Sequence, residues 1–252
     1  MNLSLFLNTE VGYNVAKFLI SDKKSIIKNV FLCGQYEIID NRILNLFKET
    51  ETKIYNKISN EDLDKIISSD KTIFFIICVY WPYLLKKNIL EKTTSTINFH
   101  PAFLPINRVW YPHVHSIIDD SVLGVTLHEI SEGADKGDIW SQKKISIPEN
   151  YTALDAYLIL QKEIFKLFSE KWNLIRDNKI KAFPQDNSKS NYHKKSEIEN
   201  LDFIDIEKDN NKSLIKKLRA RSFGKKGFAY FIDSDGQKIY LNLRLSKTNK
   251  FE

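Results

Sequence analysis

The sequence predicts an α/β fold: a mostly parallel, twisted sheet with flanking helices, followed by a small C-terminal α+β unit containing a β-hairpin. Three observations predict it. Short apolar runs alternate with amphipathic stretches through the first 175 residues. One of those runs, Thr72–Val79, is continuously apolar, as a strand covered on both faces must be. Beyond residue 180 the pattern changes to a polar stretch, one helix and two short segments around Ser234-Asp-Gly. The boundary is therefore set between a main domain, 1–180, and a small basic unit, 181–252.

Each element has its own reason. Residues 2–7 alternate and read as a strand, and a helix is expected from Val11 to Ser21. Ile27–Cys33 is apolar and β-branched, a buried strand; Asn41–Thr50 has helical period; Thr52–Tyr55 is a short strand. Asn60–Ser69 is a helix with its N-cap at Ser59 or Asn60. After the Thr72–Val79 strand, a short helix around Pro82–Leu90 leads into a strand ending at Asn98–His100. Tyr111–Ile118 reads as a helix, and Leu123–Ile130 and Ile139–Ile147 as strands joined by the 131–138 loop. Thr152–Trp172 is the clearest helix, with Leu154, Tyr157, Leu158, Leu160, Ile164, Phe165 and Phe168 making a broad apolar face. The polar stretch within 182–200 reads as a linker or extended loop. Leu214–Arg221 is a helix, and Phe228–Ile232 with Lys238–Leu245 forms the hairpin.

Composition narrows the function classes. With 252 residues, 42% hydrophobic and 12% aromatic, the chain can build a real core. Cys33 and Cys78 lie in apolar runs and read as buried, reduced thiols. No Cys/His spacing suggests zinc, and no metal is expected. The N-terminus lacks a basic segment and reads as a strand rather than a signal peptide. The longest apolar run, Ile73 to Leu85, is broken by Pro82 and falls short of the ~20 residues that span a bilayer. A cytoplasmic protein without membrane partners is expected. With eight glycines and no Gly-rich phosphate loop, the dinucleotide fingerprint is excluded in its usual form. Residues 1–175 carry a net charge of −1 and residues 176–252 a net charge of +7. Scattered lysines are ordinarily a solvated face; the alternative is attraction to phosphate.

The most informative segment runs from Thr96 to Asp138. Asn98 and His100 are two apart, so on a strand both side chains share one face and Phe99 takes the other. Pro101 ends the ladder, having no N–H to donate. Asp135 follows in a loop between Gly133 and Gly137, which allow tight turning and close backbone approach. An amide, an imidazole and a carboxylate suit acyl transfer to an amine: Asn98 as oxyanion donor, His100 as proton acceptor, Asp135 holding the ring. A lone Asn-x-His is an ordinary strand-end hydrogen bonder, and Asp138 after Gly137 reads as a turn cap.

The ordered set Asn98-Phe-His100-Pro101, Leu104-Pro105-Ile-Asn-Arg108, Gly124-Val-Thr-Leu-His128 and Gly133-Ala-Asp135-Lys-Gly137-Asp138 resembles the folate-dependent formyltransferases. The likeness is strong over about 96–145, looser from 1 to 175, and faint beyond. One departure is Val109, where relatives often carry glycine. The resemblance implies a Rossmann-like sheet, Asn98, His100 and Asp135 as the catalytic trio, and N10-formyltetrahydrofolate as co-substrate. The folate would lie near Tyr80, Trp81, Pro82, Leu85, Ile130 and Gly133. The segment Trp110-Tyr111-Pro112-His113-Val114-His115 is similar to sugar N-formyltransferases. It implies a nucleotide-linked, dTDP-type amino sugar as acceptor, with the amine at C3 or C4 of a 6-deoxyhexose destined for O-antigen or similar glycans. Arg108, Trp110, Tyr111, Arg219, Phe223, Lys226 and Tyr230 are its candidate contacts: forks and charges for diphosphate, aromatics for hexose and base. The alternatives are a methionyl-tRNA formyltransferase-like enzyme or an RNA-binding protein on the same scaffold. Some 75 residues after the long helix are too few for the tRNA enzymes' C-terminal barrel, and the lysines lack an aromatic platform for nucleic acid. The hairpin's open edge suggests a homodimer through the C-terminal unit.

Overall fold

Strand β1 (Asn2–Leu7) is buried from Leu3 to Leu7, because neighbours pair with it on both sides and helices cover both faces. The structure is a computed structural model describing residues 1–69 and 75–247. Helix α1 (Thr9–Ile20) starts where the Asn8 side chain accepts the Thr9 N–H, and it buries the stripe Val11, Val15, Ala16 and Leu19. Then come β2 (Ile26–Leu32), α2 (Glu37–Leu46), β3 (Lys53–Tyr55), α3 (Asn60–Ser69), β4 (Phe75–Val79), α4 (Lys87–Leu90) and β5 (Ser95–His100). The chain continues through β6 (Arg108–Val109), α5 (Pro112–Asp119), β7 (Gly124–His128), β8 (Ile139–Lys144) and the long α6 (Ala153–Arg176). After α6 lie β9 (Tyr192–His193), α7 (Glu197–Asp202), α8 (Asn211–Ala220), β10 (Ser222–Phe223), β11 (Lys226–Gly227), β12 (Tyr230–Ile232) and β13 (Lys238–Tyr240).

The main sheet has the order β3-β2-β1-β4-β5-β7-β8. The pairs from β3 to β5 are parallel, and β7 runs antiparallel to β5. The expected mostly parallel sheet with flanking helices is thus found. The order reverses between β1 and β4, so the crevice of an open α/β sheet opens at the carboxyl ends of these strands.

The chain divides into two compact units. The first comprises 1–100, 126–142 and 162–185; the second 101–125, 143–161 and everything from 186. In the first, Phe6, Phe31 and Tyr55 stack at 4.5 and 4.8 Å, and Phe99 packs on Phe168 at 5.0 Å. Trp172 Nε1 and Arg176 Nη1 both donate to the Asp22 carboxylate. In the second, Lys216 on α8 reaches Asp120, Arg221 reaches Asp202, and β12 pairs with β13 as the expected hairpin, with Gly236 turning at φ +77°.

The differences from expectation have physical reasons. Helix α2 begins at Glu37, four residues before the expected start, because its first turn has no side-chain cap and exposes Ile38. Only one turn, α4, forms where Pro82–Leu90 was expected to be helical. Thr72 to Phe74 of the expected fourth strand lie outside the described residues. The expected linker 182–200 is ordered: a 3-10 turn at Asn187–Lys189, then β9 in parallel with β6, then α7. Gln185, Asn187, Asn191, Tyr192 and His193 in it bond polar groups far away in the sequence, which composition cannot reveal.

Candidate functional site

At the carboxyl end of β5 the antiparallel partner β7 sets the register Asn98↔His128 and His100↔Thr126. Asn98 Nδ2 lies 3.1 Å from His128 Nε2 and 3.4 Å from Asp135 Oδ1. His128 Nδ1 lies 2.7 Å from the Glu129 carbonyl oxygen. That nitrogen donates to the carbonyl, and Nε2 faces both the Asn98 amide and Asp135 Oδ1, the latter at 3.5 Å. His100, buried, has Nδ1 at 3.5 Å from Asp135 Oδ2. Phe99, on the opposite face, faces Phe168 of α6. The amide, both imidazoles and the carboxylate therefore form one cluster within the first unit.

Asp135 is held by its backbone. It sits at φ +54°, an uncommon conformation for a non-glycine residue, and Gly133 sits at φ +96°. A Cβ at Gly137 would lie 1.8 Å from the Glu129 carbonyl oxygen, so only glycine allows this approach. Glu129 N donates to Asp138 O at 2.7 Å, and Gln185 Nε2 donates to the carbonyls of Asp135 and Gly137 at 2.9 and 2.6 Å. Burial, then the nearby Asp138 charge, pushes the Glu129 carboxyl above its usual range. His128 and Gln185 were given no role from the sequence. His128 could have been found by parity with Thr126 across from the Asn98 strand; Gln185 carries no local signal.

The residues expected near folate are also in the first unit. Tyr80 ends β4 at φ +52°, and its carbonyl accepts from Asn8 Nδ2 at 3.2 Å. Trp81 stands edge-on to Phe6 and Tyr83, and its buried Nε1 has no hydrogen-bond partner. Leu85 belongs to the cluster of Phe6, Phe31 and Ile76, against which Trp81 and Ile130 pack. Pro82 and Gly133 are exposed. The structure thus brings Trp81, Leu85 and Ile130 to one apolar wall, with one buried N–H left to offer.

The residues expected at the acceptor all lie in the second unit. Arg108 departs from expectation: it is 1% exposed, and its Nη1 and Nη2 donate to Tyr192 Oη and Asn187 Oδ1 at 2.6 and 2.8 Å. Its guanidinium anchors the 187–192 segment rather than facing outward. Asn107, Val109 and Tyr111 have φ of +56°, +84° and +49°. Val109 occupies the left-handed region at the position where relatives often carry glycine, a genuine outlier for a β-branched residue. Trp110 is 41% exposed and has Lys195 Nζ over its ring at 5.4 Å. Arg219 donates to the carbonyls of Tyr151 and Pro148, and Phe223 lies 5.6 Å from Tyr157. Lys226 is exposed on β11. Tyr230 packs with Phe203 and Tyr240 beneath Lys238.

His115, Asp119 and His193 place one polar side-chain atom each within 4.8 Å of one another, with the two imidazoles stacked at 3.4 Å between centroids. The sequence trace of this group is only the i,i+4 spacing of His115 and Asp119.

Residues 37–170 match the formyl transferase family, and residues 197–247 match the N-formyltransferase dimerization C-terminal domain. The chain is similar to the dTDP-4-amino-4,6-dideoxyglucose formyltransferase of Mycobacterium tuberculosis, 32% identical over 150 residues, 59% of this chain and 64% of that protein. The chain thus spans less than two thirds of that relative's length. In fold it resembles a 4-N formyltransferase from Francisella tularensis, with TM-score 0.83, 24% identity and 98% of both chains covered. It is also similar to the formyltransferase PseJ from Anoxybacillus kamchatkensis, solved with UDP-4,6-dideoxy-4-formamido-L-AltNAc and tetrahydrofolate. That match has TM-score 0.54 and 28% identity, covering 77% of this chain and 98% of PseJ.

Proposed function

The chain belongs to the formyl transferase family, and from that premise we propose that it transfers a formyl group from N10-formyltetrahydrofolate to the amine of a nucleotide-linked 3- or 4-amino-6-deoxyhexose, dTDP-linked in preference. The observation that carries the reading is the Asn98–His100–His128–Asp135 cluster at the carboxyl end of β5. The sugar acceptor is supported by the mycobacterial relative's name and by the C-terminal dimerization match. That match and the 197–247 span disfavour the methionyl-tRNA and RNA-binding alternatives and support a homodimer. O-antigen or similar glycan synthesis in the cytoplasm completes the proposal. Both cysteines are free thiols, and no helix among the described residues is long and apolar enough to cross a membrane.

The residues present fit a folate. Trp81 offers a buried indole N–H without a partner beside the apolar wall of Leu85 and Ile130. N10-formyltetrahydrofolate supplies, when bound, a formyl carbon on a nitrogen leaving group. Asn98 donates toward the carbonyl oxygen as that oxygen gains charge, giving up its long 3.4 Å contact to Asp135. His128 Nε2, 3.1 Å from the Asn98 amide nitrogen, holds that amide in place. His100 accepts the proton shed by the attacking amine, Asp135 stabilises the charge the ring then carries, and the same proton is returned to the departing folate nitrogen as the C–N bond to it breaks. Burial of both imidazoles excludes water and strengthens these interactions.

The test incubates the protein with formyl donor and dTDP-, GDP- and UDP-linked amino sugars and reads the products by mass. Formylation of at least one sugar is expected, with thermal stabilisation by the matching free nucleoside diphosphate. Formylation of methionyl-tRNA with no sugar turned over would restore the tRNA reading.

A further inference from the structure

We propose that Gln185 is a positioning residue for catalysis, holding the Asp135 carboxylate against His100 through the backbone of the loop that carries it, a role that rests on the formyl-transfer reading of this cluster. Every residue involved lies in the first unit. Gln185 is placed by strand pairing. Ile139, the first residue of β8, makes an isolated antiparallel bridge to Phe183, with N–H···O bonds of 2.7 and 3.0 Å in the two directions. Two residues back along one segment and two on along the other set 137 across from 185. There the Gln185 side chain meets the loop: its Nε2 donates to the Gly137 carbonyl at 2.6 Å and to the Asp135 carbonyl at 2.9 Å. The two hydrogens of one buried amide nitrogen thus serve two loop carbonyls.

The loop needs such a hold. Asp135 sits in the left-handed region at φ +54°, a conformation that persists only where the surroundings impose it. Gly137 presses on the Glu129 carbonyl so closely that no Cβ fits, and Glu129 N donates to Asp138 O at 2.7 Å. Those contacts fix the C-terminal side of the loop, and Gln185 fixes the carbonyl of Asp135 itself. The Asp135 carboxylate then stands 3.5 Å from His100 Nδ1, 3.5 Å from His128 Nε2 and 3.4 Å from Asn98 Nδ2. Contacts this long are weak hydrogen bonds, so the carboxylate depends on its backbone for its place.

The residue type matters as much as the place. An amide can bond two carbonyls and remain neutral. A lysine or arginine would bring a charge that competes with His100 for Asp135, and a carboxylate would repel both carbonyls. Gln185 therefore sets the position of the Asp135 charge without neutralising it, as supporting hydrogen bonds do for a group that must be held precisely. Of the titratable groups facing His100, Asp135 favours the protonated ring, whereas His128, edge-on at 6.2 Å between centroids, does not. Displacing Asp135 must therefore lower the pH at which His100 takes up its proton.

The experiment uses the intact protein and Gln185→Met, which keeps the length of the side chain and loses both donors. In Gln185→Met, kcat should fall about 10- to 10²-fold while both KM values change little. In an Asp135→Asn background the same substitution should cost less than about twofold, because it then has no carboxylate to position; a merely structural role would cost the same in both backgrounds. The His100 ring, assigned by its absence in His100→Asn and followed by NMR without substrate, should titrate about one pH unit lower in Gln185→Met. Gln185→Asn, which keeps the amide on a shorter arm, should show the same changes in smaller measure. Because the titration needs no turnover, a parent protein that formylates no amino sugar would sink the functional reading alone. An unmoved His100 midpoint in Gln185→Met, or equal rate losses in the two backgrounds, would overturn the positioning role.

Discussion

Gly137→Ala places a methyl group where two backbone atoms already stand. Its Cβ would meet the Glu129 carbonyl oxygen at 1.8 Å and the carbonyl carbon at 2.5 Å, against the 3.0 Å that real contacts respect. Either the loop or the end of β7 must therefore move by about 1 Å. The movement cannot stay local. Glu129 N is bonded to Asp138 O, and Gln185 Nε2 holds both the Asp135 and the Gly137 carbonyls. Asp135, two residues away, has its carboxylate 3.4 to 3.5 Å from Asn98, His100 and His128. A ~1 Å misplacement of a positioned group costs on the order of 10²-fold in rate. The expected outcome is a kcat/KM lower by about 10²-fold, with circular dichroism unchanged and a modest fall in melting temperature. Gly236→Ala is the control: it also strains a turn, at φ +77°, but nothing lies within 4 Å of the added methyl. It should cost about 1 kcal/mol of stability and leave the rate alone. A Gly137→Ala protein turning over within about threefold of the parent would mean that this close approach does not position Asp135.

Other perturbations follow from single contacts. His100→Asn should lower kcat by at least ~10²-fold with little change in melting temperature, measured by initial rates and thermal scan, because it removes the proton acceptor from a cluster outside the main apolar core. Acidification should destabilise the second unit: burial, then Arg221 and His115, push His113 down to about 4, so the unfolded chain binds the proton first as pH falls below ~6.5. Stability present above pH 6.5 is lost toward pH 4, by about 3 kcal/mol for this residue, and His113→Gln should flatten that limb in urea titrations at pH 7 and 4.5. Asp22 acts lower on the scale: burial opposes its charge, but bonds from Ser25, Trp172, Arg176 and the Lys24 N–H outweigh it and hold the carboxyl well below the usual range. Its stabilisation is present above pH ~4 and fades below it, and Arg176→Ala should cost about 3–5 kcal/mol by chemical denaturation at pH 7. Val109→Gly relieves a φ of +84° and should stabilise by up to ~1 kcal/mol despite glycine's entropy; destabilisation would show that the valine side chain matters more than its strain.

The β-α alternation and the strand-end pair were legible because both depend on periods of two and 3.6 within a few residues. Asn98, His100 and Phe99 fall on the faces their parity assigns, and Ser59 caps α3 by accepting the Asp62 N–H. What failed to read were features closed by distant partners. Arg108 looked like a phosphate fork because nothing nearby in sequence pairs with it; its partners are about eighty residues away, at Asn187 and Tyr192. The start of α2 was invisible because its first turn is capped by no side chain.

That stretch shows why polarity misleads. Segments rich in Asn, Ser, Lys and Gln are read as solvated because they cannot build an apolar core. Between 185 and 193, however, Gln185, Asn187, Asn191, Tyr192 and His193 each answer a particular polar group elsewhere in the chain. Gln185 takes up two loop carbonyls of the first unit. Asn187 and Tyr192 take up a buried guanidinium of the second, and Asn191 and His193 take up Asn107. A buried polar group left without its partner costs about 1–3 kcal/mol, more if charged. The segment is therefore bound to its place by the very residues that make it look unstructured. The same bonds hold the backbone of the Asp135 loop in one unit and the strained 107–109 turn in the other. Substitutions at Gln185 and at Tyr192 should accordingly separate. Gln185→Ala should depress kcat through the Asp135 loop, whereas Tyr192→Phe should act on stability through its bond to the buried Arg108 and on acceptor KM only through the adjoining 109–111 loop. Steady-state kinetics on both proteins distinguishes these outcomes, and identical kcat and KM profiles for the two would show that the segment acts only as a structural tie.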